Sequence, residues 1–115
     1  MREPARDIGR LEHILEAIEY VKLYTAGYDC DSLAKDTLHF HATVHNVQIV
    51  GEAVYKLSSE FKKEHPLTQW AAIEKMRHVL VHDYYQINYR ILWEIVSVDL
   101  PALAEQVSGY LSEFQ

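Results

Sequence analysis

Within one short run, Arg77, His78, His82, Asp83 and Tyr84 combine the functional groups that chemistry at a phosphate uses. An arginine keeps its charge at any accessible pH, whereas an imidazole gives or takes a proton near neutrality. The pair suits a reaction at phosphorus in which one group holds charge and the other moves protons. Arg77 and His82 are five residues apart, so on a helix they leave the axis about 140° from each other. One chain does not readily aim both at the same atom. Convergence needs a helix end at His82, or two copies of the segment facing each other across a two-fold axis, which would make the site the property of a homodimer. The plainer alternative is that Arg77 pairs with a carboxylate such as Asp83 or Glu74 while His82 is a satisfied buried residue. Spacing alone leaves both readings open.

His78 and His82 are four apart and lie about 40° from each other on one helical face; His41 and His45 repeat that spacing, with His39 nearby. Zinc needs further ligands at compatible spacing, and neither pair supplies a third. A four-histidine cage from two helices would rest on spacing alone. No metal and no cofactor is therefore expected, and His39, His41 and His45 read as capping, interface or surface residues. Lys56, Lys62 and Lys63 read as a solvated helix end, where cations complement the dipole.

The elements that must carry these groups are helical throughout. A first helix is predicted from about Ala5 to Tyr24, with Ile8, Leu11, Leu15 and Ile18 at three- and four-residue spacing and Ile14 and Val21 widening the stripe. It should end at Thr25-Ala26-Gly27, and Asp29, Asp31 and Ser32 are candidate caps for the next. A second, long helix is predicted from about Leu33 or Asp36 to Lys62 or Lys63, on a stripe of Leu38, Ala42, Val44 or His45, Ile49, Ala53 and Leu57. His65-Pro66 stops it, because the residue before proline avoids the helical region. Gly51 lies mid-helix at a cost of about 1 kcal/mol relative to Ala, which marks it as a close packing contact. Thr68 is a plausible N-cap for a third helix from about Gln69 to His82 or Tyr84, striped by Trp70, Ile73, Met76 or Arg77, and Leu80. After a turn at Gln86-Ile87-Asn88, Asn88 caps a fourth helix through Ile91, Leu92, Ile95 and Val96. Asp99-Leu100-Pro101 should restart it with a bend, and Leu103, Val107, Tyr110 or Leu111, and Phe114 carry the stripe onward. The expected fold is all-α, an antiparallel four- to five-helix up-and-down bundle.

At 115 residues, 49% hydrophobic and 24% charged, the chain reads as one domain over 1–115 whose core needs no disulfides. Cys30 stands alone, which excludes a disulfide framework or a cysteine zinc site and fits a reducing compartment. A formal net charge of -6 argues against a broad basic nucleic-acid surface, though not against a local site for one or two phosphates. No apolar run approaches the roughly 18 to 20 residues that cross a bilayer. Arg2, Arg6 and Arg10 lead into sequence interrupted by Glu12, Glu16 and Glu19 rather than into a signal-peptide core. No membrane contact is expected, and the expected location is cytoplasmic.

The run Arg77-His78-Val79-Leu80-Val81-His82-Asp83-Tyr84 resembles the Arg-x4-His-x-Tyr signature of HepT-like toxins in the HEPN superfamily. Its flanks agree: Ile49-Val50-Gly51-Glu52-Ala53 with Lys56-Leu57-Ser58, His65-Pro66, Trp70, and Trp93-Glu94-Ile95-Val96 through Asp99-Leu100-Pro101. The likeness covers about Ile8 to Val107. It implies a HEPN-like bundle that dimerises, with Arg77 and His82 of both copies lining a cleft. It also implies a metal-independent endoribonuclease, the toxin of a type VII (HepT/MntA-like) toxin-antitoxin system. The implied partner is an MntA-like nucleotidyltransferase antitoxin that transfers AMP from ATP to the motif tyrosine, here Tyr84. The residue after the motif arginine is commonly a short polar one, frequently Asn; His78 is among the polar residues the superfamily accepts there, and it leaves a second candidate acid or base, with Asp83 a further auxiliary candidate. The rival reading is a non-catalytic helical module that binds a nucleotide or a nucleotidyltransferase, which the acidic charge favours.

Overall fold

The computed structural model describes the backbone of residues 2–82 and 88–114 and the side chains of residues 5–77 and 88–114. Every regular element among them is helical: α1 (Arg2–Thr25), α2 (Cys30–Lys35), α3 (Thr37–Lys56), α4 (Ser59–Glu64), α5 (Trp70–His82), α6 (Tyr89–Glu94) and α7 (Leu100–Ser112), with a π-helical turn (Ile95–Asp99) joining the last two. The fold is the all-α bundle that the periodicity predicts. Helix α3 lies between α1 and α5, and α7 closes the bundle against α1. Among the described residues no helix is long and apolar enough to cross a membrane.

The predicted stripe of α1 goes inside in part, with Ile8 and Leu15 at its half-buried edges. Leu11, Ile14, Ile18 and Val21 are buried, as are Ala17 and the charged Asp7, a three- and four-residue repeat that keeps one face toward the core. Gly27 ends the segment at φ 81°, a left-handed conformation that costs glycine little. Of the three candidate caps, Asp29 is the one used: its carboxylate accepts from the Ser32 amide, and the Ser32 hydroxyl is within reach of the Asp29 amide in return.

The long second helix divides into three. Asp36 takes an extended conformation and caps α3 by accepting from the His39 amide. At the other end Leu57 and Ser58 are both extended, and the Ser58 hydroxyl accepts from the Phe61 amide to start α4. A buried carboxylate secures this break. Asp7 of α1, 3% exposed, accepts from the Ser58 amide at 2.9 Å and from its hydroxyl at 2.6 Å. Those bonds satisfy an amide that a helix break would otherwise strand. The core stripe of α3 is accordingly Val44, Val47, Val50 and Val54, while Leu38 and His45 of the predicted stripe face outward. Helix α4 ends before His65-Pro66, as the proline rule requires.

Thr68 does not cap α5. Its buried hydroxyl is bonded to Gln106 at 2.7 Å and to the Tyr110 hydroxyl at 2.5 Å, tying the α4–α5 connection to α7. The Trp70 indole donates to the His65 carbonyl beside it, and Phe61 stacks on the His65 ring. Asn88 caps α6 as expected, accepting from the Arg90 and Ile91 amides. Asp99, however, makes no cap, and the helix does not restart. Pro101 cannot donate to the Ser97 carbonyl and crowds it. The chain meets this by widening one turn, with the Leu100 amide bonded to the Ile95 carbonyl five residues back.

Gly51 is the close contact its position suggests, and its neighbour is Arg77. A Cβ at residue 51 would lie 2.9 Å from the Arg77 backbone nitrogen and 3.1 Å from the Arg77 Cβ. Gly51→Ala should therefore lower stability by roughly 1–2 kcal/mol in urea unfolding, because the overlap with a backbone outweighs the better helix propensity of alanine. A variant at least as stable as the parent would show that α5 yields freely.

Asp36 offers a pH test. Its carboxyl is lowered to about 2, first by the Tyr28 hydroxyl and then by the His39 amide that donate to it. A folded value below the usual 3.9 or so of an unfolded aspartate stabilises the fold above pH 4, and that contribution is lost as the pH falls toward 2. Tyr28→Phe should thus be less stable than the parent in urea titrations near pH 6, and the gap should narrow from pH 4 downward. A gap independent of pH would refute the coupling.

Candidate functional site

Arg77 sits where α5 crosses α3, and three features hold its side chain. The missing side chain at Gly51 lets the two backbones touch, which brings the arginine stem over α3. One turn further along α3 on the same side, Tyr55 places its ring under the guanidinium, with the guanidinium carbon 3.7 Å from the ring centroid. Between them Glu52 accepts a hydrogen bond from Nη1 at 3.2 Å. The result is a side chain only 20% exposed, beside a Glu52 side chain that is 49% exposed. Its Nε is buried without a hydrogen-bond partner among the described residues.

The plainer reading of Arg77, an ion pair with Asp83 or Glu74, is corrected in one part. Glu74 is taken by Lys62, whose ammonium lies 2.5 Å from its carboxylate and 3.3 Å from the Tyr55 carbonyl. Lys62 is thereby a bridge between α4 and α5 rather than a solvated helix end. Arg77 pairs with Glu52 instead. Asp83 and Tyr84 lie outside the described residues, and His78 and His82 are described in backbone only. That backbone matters: α5 remains helical through His82, so the Arg77 and His82 positions are about 140° apart around its axis within one chain.

Two residues of the site carried no assigned role in the sequence. Glu52 and Tyr55 follow Gly51 by one and four positions. The interior glycine signalled a close approach, and its helical neighbours were the place to look. What periodicity could not name was the helix on the other side.

The remaining histidines are dispersed. His41 and His45 are exposed on the outer face of α3. His39 stays at the head of α3, its Nδ1 3.0 Å from the Asp36 carboxylate though not aligned as a hydrogen bond, and its ring tilted against Tyr28. Among the described residues no three His, Cys, Asp or Glu side chains converge as metal ligands. An apolar groove of about 410 Å³ runs between α5 and the α6–α7 rod, lined by Ile73, Met76, Ile91, Ile95 and Leu103. Arg77 is not part of its lining.

A cation held near the surface by one ring and one exchangeable carboxylate can bind a phosphate oxygen, and known proteins agree in kind. The profile of the family described as Ribonuclease HepT-like matches residues 14–109. A protein of Caldanaerobacter subterraneus whose name proposes an RNase is 37% identical, across 90% of this chain and 92% of its own. A protein of Thermococcus cleftensis named as a probable ribonuclease HepT is 33% identical, across 81% and 84%. A Methanocaldococcus jannaschii protein, named as a gamma-glutamylcyclotransferase joined to a proposed RNase, is 30% identical across 90% of this chain but only 46% of its own length. No solved structure matches the chain. With the family profile covering most of the sequence and a relative 37% identical over nearly its whole length, the chain belongs to the HepT-like ribonuclease family.

Proposed function

We propose that the chain is the toxin of a two-component toxin-antitoxin system and acts, as a homodimer, as a metal-independent endoribonuclease. The observation that carries this reading is the Arg77 guanidinium, fixed at the α3–α5 crossing with a weakly held Nη edge. Arg77 binds the non-bridging oxygens of the scissile phosphate and offsets the charge that grows on them in the transition state. His82 handles protons. The substrate 2′-hydroxyl loses its proton to an imidazole and attacks the adjacent phosphorus; the P–O2′ bond forms as the P–O5′ bond breaks. The leaving 5′-oxygen takes a proton from the second imidazole. The products are a 2′,3′-cyclic phosphate and a 5′-hydroxyl, and the need for a 2′-hydroxyl restricts the reaction to RNA.

Two copies account for the geometry. The separation of the Arg77 and His82 positions around one helix is overcome when two α5 helices face each other across a two-fold axis, so that each cleft draws on both copies. His78 and Asp83 then stand as auxiliary groups near the same end. Tyr84, seven residues after Arg77, returns to within about 20° of its direction if the helical path continues. In this reading the antitoxin, an MntA-like nucleotidyltransferase, joins the Tyr84 phenol oxygen to the α-phosphorus of ATP with release of pyrophosphate. The AMP so added is an anion beside Arg77 and competes with RNA for it.

A second reading keeps the motif without catalysis, as a module that binds a nucleotide or the nucleotidyltransferase itself. The net charge of -6 favours it, because a nuclease gains from basic guidance of its substrate. Cleavage assays separate the two. The wild-type dimer should cut single-stranded RNA in EDTA, and Arg77→Ala and His82→Ala should each slow it on the order of a hundredfold or more. Undiminished cleavage by both variants would discard the ribonuclease site.

The modification is tested by mass. Incubation with the antitoxin and ATP should raise the peptide containing Tyr84 by whole AMP units and abolish cleavage, and Tyr84→Phe should remain unlabelled and active. A label found only on other peptides would remove Tyr84 from the switch.

A further inference from the structure

A long arginine side chain loses much of its rotameric freedom when it is fixed to receive a phosphate, so something must hold Arg77 in one pose before substrate arrives. We propose that Tyr55 is the positioning residue for the Arg77 guanidinium and that Glu52 is its exchangeable counter-ion, surrendered when a substrate phosphate enters. The inference rests on the reading of Arg77 as the phosphate-binding group.

The two neighbours hold the cation in different ways. Tyr55 lies against its face, 3.7 Å from ring centroid to guanidinium carbon. All five donors of a guanidinium lie in its plane, so a ring beneath that plane restrains the group without using a single donor. The Nη edge is left available for a bidentate phosphate. Glu52 does occupy that edge, but through one bond of 3.2 Å from a side chain that is half-exposed. An exposed ion pair of this kind is weak, and two phosphate oxygens in register with the fork replace it with a better set of bonds.

The exposure pattern supports an assignment to function. Tyr55 is 51% exposed and belongs to no part of the buried core, whereas the Arg77 side chain it supports is 20% exposed. A half-exposed phenol contributes little to folding, and its hydroxyl is not what touches the arginine. Glu52 and Tyr55 are three residues apart on α3 and therefore share a face. The Gly51 contact one position earlier sets how far that face stands from α5. The three residues form one cradle: Gly51 fixes the distance, Tyr55 the plane, and Glu52 neutralises the charge until RNA replaces it.

The test compares three variants of the full chain with the wild type and Arg77→Ala, using a short single-stranded RNA and steady-state kinetics. Tyr55→Phe keeps the ring face and should retain kcat within about twofold. Tyr55→Leu removes the face and should lower kcat on the order of tenfold with little change in KM, because the charge remains but its aim is lost. Glu52→Gln should lower KM severalfold, since the phosphate no longer competes with a carboxylate. Thermal melts of all three should stay close to the wild type. The Arg77 side-chain resonance, recorded by nitrogen-15 NMR, should show a ring-current shift in the wild type and in Tyr55→Phe that disappears in Tyr55→Leu. Wild-type kcat in Tyr55→Leu beside a dead Arg77→Ala would overturn the positioning role alone. An Arg77 resonance unchanged in Tyr55→Leu would overturn it whatever the kinetics. Equal cleavage by wild type and Arg77→Ala would remove the phosphate-binding reading of Arg77 and this inference with it.

Discussion

Helices α3 and α5 touch where Gly51 meets the backbone of Arg77, and the rest of the molecule is arranged so that they can. The added Cβ that any other residue would bring lies 2.9 Å from a backbone nitrogen, a neighbour that cannot rotate away. A glycine mid-helix weakens α3 on its own account. It is tolerated because α3 is enclosed by α1 and α5 and buries Val47, Val50 and Val54 completely. Packing of that kind supplies most of the stability of a helix inside a protein, and propensity supplies little. The side chain that results is a cation laid across the neighbouring helix rather than one waving in solvent.

Around that crossing, the breaks between helices are secured by polar groups with defined partners. Asp7 satisfies both the amide and the hydroxyl of Ser58 from another helix. Asp36 caps α3 while holding the Tyr28 hydroxyl, and Thr68 links the loop before α5 to Gln106 and Tyr110 of α7. Each fixes where the next helix begins, and at the buried Asp7 and Thr68 it also satisfies a polar group that would otherwise be stranded. Helix α5 starts at a point tied to α7 and passes over α3 at a point set by glycine. Its path is determined before its last turn, which carries His82, is reached.

An acidic chain in a ribonuclease family poses an electrostatic question that the site answers locally. With a net charge of -6 the surface as a whole does not attract RNA. Arg77 is nevertheless kept charged and close to the surface, and the carboxylate beside it is half-exposed and singly bonded. A pair of this kind is weak, and in the proposed reading it exchanges for a substrate phosphate. In that reading, affinity for substrate depends on contacts at the scissile phosphate more than on long-range steering.

Much of this was legible in the residues in order. Most of the three- and four-residue repeats of α1 and α7, Gly27, the Asn88 cap and the proline after His65 act over a few positions, and local rules read them correctly, though Phe114 at the end of the α7 stripe is exposed. Gly51 announced a close contact, and the Arg-x4-His-x-Tyr run with its flanks announced the family. The errors occurred where a distant partner decides. The break at Ser58 depends on a carboxylate in α1, Thr68 is drawn away from capping by α7, and Asp99 is bypassed because a π turn absorbs Pro101. Glu74 was a reasonable partner for Arg77 by spacing, but Lys62 reached it first from α4. The sequence by itself determined that the chain would be a helical bundle carrying an arginine and a histidine on one helix. Only the tertiary structure decided that Glu52 and Tyr55 hold that arginine, because which faces of two helices meet depends on the packing of every side chain between them.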